Sequence, residues 1–188
     1  EINPEDPKAG TRELPFGREL YMGQDDFKVD ANKKWFRLAP GKSVRLKSAY
    51  IVTYLDHVTD ADGNITEVHV EYHPTSKSGS DTSGIKAKGT LHWVHARSAV
   101  DAEVRLYDRL FNDPSPDGHE DRDFTEFLNP ESLEVLKGCK LEPSLAEAQP
   151  GVSYQFTRLG YFTADSKLSS PGNWVFNRAV TLKDGWKS

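Results

Sequence analysis

The chain predicts an all-β fold, antiparallel barrels or a sandwich. Three features point there: a succession of short runs rich in Val, Ile, Tyr and Phe, Gly/Asn/Asp/Pro-rich stretches between them, and no long segment with an unambiguous helical period. In chain order, Arg18–Met22 is a weak strand and Ser43–Tyr54 the strongest one. Ile65–Tyr72 comes next, and Asp62-Gly63-Asn64 before it carries hairpin chemistry, because Gly and Asn accept the positive φ of tight turns. Thr75–Gly84 is Ser/Gly-rich and reads as a mobile loop; Lys86–His95 resumes as a strand.

Ala99–Phe111 fits two patterns. Val100, Val104, Tyr107 and Phe111 would share a helical face, with Asp101 and Arg105 paired at i,i+4. The same residues also alternate as a strand would, and periodicity alone does not separate the two. Asn112–Asp123, rich in Pro, Gly and Asp, is the best internal boundary. Beyond it come a short segment at Asp123–Leu128 and strands at Leu133–Lys137, Ser153–Arg158, Tyr161–Asp165 and Trp174–Leu182.

At 188 residues, 36% hydrophobic and with four Trp, the chain has material for one large or two small cores. No apolar run approaches the roughly 18–20 residues of a membrane-spanning helix, so no membrane partner is expected. Cys139 is the single cysteine and admits no internal disulfide, in keeping with a cytoplasmic setting. The sequence begins EINPEDPKAG, without a signal-peptide pattern, and its one methionine is Met22, so it is expected to be excised from something longer.

Catalytic and metal signatures are sparse. No Gly-rich phosphate loop is present, and one cysteine excludes a Cys-rich zinc site. His69 and His73 would lie roughly 13 Å apart on a strand, and His92 and His95 would point to opposite faces. The carboxylates of Asp113–Asp123 lack EF-hand spacing and read as a solvated linker. No catalytic residue and no metal ligand is assigned.

Charge is where the chain departs from the ordinary. Between Ala31 and Tyr50 stand Lys33, Lys34, Arg37, Lys42, Arg45 and Lys47, and not one acid. The whole chain has 24 Lys+Arg against 29 Asp+Glu, so the remainder is strongly acidic. A one-sign island enclosing Trp35 and Phe36 offers a polyanion both counter-charge and rings for base stacking, which points to RNA. In an extended Ser43–Val52, Val44 and Leu46 face inward while Arg45 and Lys47 face out, about 7 Å apart.

These residues also carry a resemblance. KKWFRLAPGKSVRLKSAY is similar to the anticodon-binding region of the glutaminyl-tRNA synthetases. So, in the same order, are GTRELPFGRELYMGQDDF (Gly10–Phe27), KGTLHWV (Lys88–Val94), AEVRLYDRLF (Ala102–Phe111), LNPESL (Leu128–Leu133), EPSLAEA (Glu142–Ala148), YQFTRLGYF (Tyr154–Phe162) and VFNRAVTLKD (Val175–Asp184). Together they span essentially all 188 residues.

The resemblance implies two antiparallel β-barrels, related to a ribosomal protein that binds 5S rRNA, gripping the anticodon loop of tRNA(Gln). It favours Ala102–Phe111 as a strand. The expected division is an entry segment at 1–30 contributing to the proximal barrel, a distal anticodon-binding barrel at 31–111, and the rest of the proximal barrel at 112–188. The N-terminal class I catalytic domain would lie upstream in the same, monomeric chain. There it would attach glutamine using ATP and magnesium. The HIGH-type and KMSKS-type motifs are absent here, so this part is expected to recognise tRNA, catalyse nothing and need no cofactor.

The resemblance also assigns roles to matching residues. Arg37 takes the position reading the third anticodon base, a guanine, which suits a bidentate guanidinium. Arg45 matches an arginine near the first base, Gln155 the glutamine at the central uridine, and Arg158 an arginine beside that pocket. Three positions depart. Lys34 stands where the best-known bacterial members have glutamine, Phe36 where they have lysine, and Lys47 where they have arginine. Lys47 keeps the charge but loses the fork. Strand parity puts Arg158 on the face of Tyr154 and Phe156, so a bend is required for it to join Gln155. Three other readings stay open: the same region of an archaeal or eukaryotic-type glutamyl-tRNA synthetase, a free-standing rRNA-binding protein of this barrel type, and a protein-interaction module with an incidental basic patch.

Overall fold

A computed structural model describes residues 1–3 and 5–182. Among them the chain is all-β, with short 3-10 turns and no α-helix. It forms two compact units, Glu13–Arg97 and a second made of Glu1–Arg12 with Ser98 onward.

The Glu13–Arg97 unit contains β1 (Leu20–Met22), β2 (Ser43–Leu46), β3 (Ile51–Thr59), β4 (Ile65–His73), β5 (Gly89–Leu91) and β6 (Trp93–His95). Four of them hydrogen-bond in the order β4-β3-β2-β5, while β1 pairs with β6. The ladders are antiparallel except β2 with β5, where Val44 lies beside Gly89 in parallel register. Alternation along β2 buries Val44 and Leu46, which join Phe27, Leu38, Val52, Leu91 and Trp93 in the core. The expected turn at Asp62-Gly63-Asn64 closes the β3–β4 hairpin. Gly63 has φ +84°, and the Asp60 carboxylate accepts from the backbone N–H of Asp62 and of Asn64 at 3.0 and 2.8 Å.

Three elements of this unit differ from expectation. Ser43–Tyr54 is not one strand but a hairpin, β2 turning into β3 through Lys47–Tyr50. Ser48 takes φ +58°, and the backbone N–H of Leu46 donates to the Tyr50 carbonyl at 2.8 Å. Ser-Ala is a poor turn signal, so the Val/Ile/Tyr pattern on either side ran together. Lys86–His95 is likewise two strands in different ladders, parted at His92. Thr75–Gly84 opens in a 3-10 turn, Pro74–Ser76, whose Ser76 is fully buried.

The other unit contains β7 (Val100–Tyr107), β8 (Leu133–Leu141), β9 (Ser153–Phe156), β10 (Gly160–Ala164) and β11 (Trp174–Val180), ordered β8-β7-β11-β10-β9. The ambiguous Ala99–Phe111 thus resolves as a strand over Val100–Tyr107, short of Phe111, which sits in an isolated bridge to Leu128. The strand is paired antiparallel with β8 and parallel with β11. Ala102, Val104, Phe162, Ala164, Trp174 and Phe176 pack its core. Arg12 ties the first residues to this unit through an ion pair to Glu142 at 2.7 Å.

The unit limits differ from the 1–30, 31–111 and 112–188 division, for a reason of strand pairing. β1 is bonded to β6, which ties residues 20–22 to the 31–97 stretch. β7 is bonded to β8 and β11, which ties residues 100–107 to strands beyond residue 132. The last two residues of the Val175–Asp184 block lie outside the described residues. Among the described residues no helix is long and apolar enough to cross a membrane.

One contact seats the basic segment on this frame. A Cβ added at Gly89 would stand 1.6 Å from the carbonyl oxygen of Phe36, backbone against backbone, with no side chain free to give way. Gly89→Ala should therefore destabilise the unit by about 1–3 kcal/mol, read as a lowered urea midpoint with unchanged slope.

Candidate nucleic-acid interface

The basic island is a loop leading into a strand. Asn32 organises the loop by accepting from the backbone N–H of Lys34 on its side chain at 2.9 Å and from that of Trp35 on its carbonyl at 3.1 Å. At the loop's far end Leu38 is zipped to residues 26–28. Its N–H donates to the Asp26 carbonyl at 3.0 Å, and its own carbonyl accepts from the Lys28 N–H at 3.3 Å. Lys42 staples the interior, its ammonium donating to the carbonyls of Trp35 at 2.5 Å and Asn32 at 3.3 Å. An ammonium so engaged holds the loop's shape, which is a different task from the phosphate contact its charge suggests.

The two aromatic rings part company. Trp35 is half-buried, its indole N–H donating to the Leu38 carbonyl at 3.0 Å. Two cations stand over its ring, Lys28 Nζ 4.7 Å and Arg37 Cζ 5.3 Å from the centroid. Such cation–π contacts stabilise the loop and occupy the ring. Phe36 is 54% exposed and is the ring left for a ligand to stack on. Lys33 and Lys34, shortly before it in sequence, are exposed, as is Lys47 in the turn after β2.

Both island arginines have acids beside them in space that the linear sequence hides. Arg37 donates Nη1–H to the Asp25 carbonyl at 2.8 Å and pairs through Nε with the buried carboxylate of Asp26 at 3.3 Å. Arg45 donates Nη1–H to the Ser76 carbonyl at 2.7 Å and to Ser78 Oγ at 3.3 Å, and Nη2 pairs with Asp81. Hydrogen bonds from Ser83, then the Arg45 charge, hold the Asp81 carboxyl below the usual aspartate range. A depressed carboxyl stays ionised as pH falls past its ordinary value and loses the pairing only below its own lower one.

Gln155 and Arg158 belong to the other unit. Gln155 is exposed on β9, opposite Tyr161 of β10, which is itself 42% exposed and opposite Val180 of β11. Arg158 is past the end of β9, in the turn to β10, with φ +71°. The strand parity that set it apart from Gln155 therefore ends at Phe156. Lys28, Asp26 and Asp81 were not singled out from sequence; only Lys28, three residues before the island, carried a local signal.

The chain is thus an all-β protein with a cation-rich loop on one of its two units. Two family models, each described as tRNA synthetases class I (E and Q), anti-codon binding domain, match residues 1–73 and 90–165. The chain belongs to that family. Among its relatives, the Glutamine–tRNA ligase of Bordetella avium is 55% identical over 185 residues, and that of Rhodopirellula baltica 52% over 185. That of Pseudomonas putida is 50% identical over 188. Each alignment takes in 98% of this chain but 30 to 33% of the relative, so the chain spans about a third of their length.

Lys42→Met should loosen the loop and cost about 1–2 kcal/mol of stability, from the loss of charge-assisted hydrogen bonds to two carbonyls. Lys33→Met should stay within about 0.5 kcal/mol. Chemical denaturation of the two variants side by side checks the contrast.

Proposed function

We propose that this chain grips the anticodon loop of tRNA(Gln) as part of a glutamine–tRNA ligase. The observation that carries the reading is the family match across both units, joined to a folded basic loop that leaves Phe36, Lys33 and Lys34 facing solvent. Arg37 and Arg45 would read the third and first anticodon bases, and Gln155, with Arg158 in the adjoining turn, the central uridine. Lys33, Lys34 and Lys47 would meet phosphate, Phe36 would stack, and Lys42 would act through the loop it staples. In this reading the parent is a cytoplasmic monomer whose class I catalytic domain joins glutamine to tRNA with ATP and magnesium. No residue of this chain is assigned to that chemistry. The family description names E as well as Q, so the glutamyl-type enzyme is the second reading.

Binding of tRNAs with single anticodon changes tests both. Glutamine-type anticodons should bind best; a preference for glutamate-type anticodons would favour the second reading. Arg37→Ala should cost about 1–3 kcal/mol with the cognate anticodon and relax discrimination at the third base. Lys33→Ala should weaken all tRNAs alike and lower the salt slope by about 0.7–0.9. If Arg37→Ala weakens every anticodon equally, the loop is an electrostatic landing surface and its base-reading role is wrong.

A further inference from the structure

The Ser/Gly-rich segment after β4 has no assigned part in tRNA binding, yet it carries the most closely tied side chain of the basic island. Its first turn is anchored in the core. The fully buried Ser76 hydroxyl accepts from the backbone N–H of Ile51, the first residue of β3, at 2.7 Å and donates to the His73 carbonyl at 2.6 Å. From that anchor the segment runs back past β2. Ser78 N–H donates to the Ala49 carbonyl at 2.8 Å, and Thr82 N–H to that of Thr75 at 2.8 Å. The result is a fixed cradle of one carbonyl, one hydroxyl and one carboxylate around the Arg45 guanidinium.

The donor count gives the cradle a purpose. A guanidinium has five N–H donors in a rigid plane. The three cradle contacts occupy three, leaving two, the number a bidentate contact to a base edge uses. Asp81 does not sit on Arg45 loosely. Its other carboxylate oxygen accepts from the Ser83 N–H at 2.8 Å and from the Ser83 hydroxyl at 2.7 Å, which fixes the direction from which it pulls. Nη1 makes two of the contacts and Nη2 the third, so the donors left are Nε–H and one Nη2–H, and three fixed acceptors on a planar fork hold them in one orientation.

We propose that Asp81 is a positioning residue for first-base recognition: with Ser76 and Ser78 it orients the Arg45 guanidinium so that its remaining donors meet the first anticodon base. The inference rests on Arg45 reading that base. It also sets two effects of Asp81 in opposition. As a charge, Asp81 repels every tRNA, so removing it by electrostatics alone tightens all of them alike. As an orienting group, its loss leaves Arg45 attractive to phosphate but indifferent to the base.

The test measures binding of four tRNAs differing only in the first anticodon base, and of third-base variants as a control. It compares the 188-residue chain with Asp81→Asn, Asp81→Ala and Arg45→Ala, with folding verified by thermal melting. The expected result is that Asp81→Asn and Asp81→Ala reduce first-base discrimination by about 3–10-fold, part of the range one bidentate contact supplies, with third-base discrimination unchanged and non-cognate binding no weaker. Uniform tightening with first-base discrimination intact makes Asp81 a bystander charge and overturns the proposal, as does no change at all. Equal loss at the first and third bases points to a general structural role and overturns it too. Failure of the underlying reading looks different. The unsubstituted chain would then not discriminate at the first base, or Arg45→Ala would leave that discrimination intact, and positioning by Asp81 would fall with it.

Discussion

The basic surface depends on one close backbone approach, the Phe36 carbonyl oxygen lying where a side chain at residue 89 would be. Gly89 is in β5, the strand beside β2 in the four-stranded sheet, so the loop rests on the edge of the ladder that carries Arg45. Once the Phe36 backbone is seated, its neighbours fall into place. Trp35 turns its indole N–H to the Leu38 carbonyl, Lys42 reaches the Trp35 carbonyl, and the Phe36 ring is left outside. A loop this short has little core of its own. Its order comes from a close approach that Gly89's lack of a side chain permits and from carbonyls that the Lys42 ammonium satisfies.

Legibility in the sequence tracked the kind of signal involved. The all-β class, the β3–β4 hairpin and the inward facing of Val44 and Leu46 were readable because alternation and turn chemistry are local. The break of Ser43–Tyr54 at Lys47–Tyr50 was not. A non-glycine residue at positive φ in a run of strand formers is decided by the Leu46–Tyr50 hydrogen bond and by packing, and Ser48 advertises neither. Ala99–Phe111 stayed ambiguous for the same reason, until its pairing with β8 and β11, partners remote in sequence, settled it. The unit limits depend on those pairings as well.

For the candidate site, the identity of the cations was legible and their company was not. A twenty-residue stretch free of acids reads as an uncompensated positive patch, yet the chain brings Asp26 from before it and Asp81 from well after it. Two of the three buried polar residues among those described, Asp26 and Ser76, lie against Arg37 and Arg45. Charge isolation along a sequence is thus no guide to charge isolation in space, because β-topology routinely joins segments remote in sequence.

This company changes what the arginines are suited for. An unpaired, mobile guanidinium attracts phosphate wherever it points, and gains affinity without sequence preference. A guanidinium held by fixed acceptors gives up some of that attraction to its own carboxylate, but loses less entropy when it meets a base edge at one angle. Arg37 and Arg45 are of the second kind, whereas Lys33 and Lys34, exposed compact charges on flexible stems, are suited to the first. Under the proposed function, carboxylates that fix the two arginines, beside lysines left exposed to solvent, divide the surface into groups that choose among RNAs and groups that hold them.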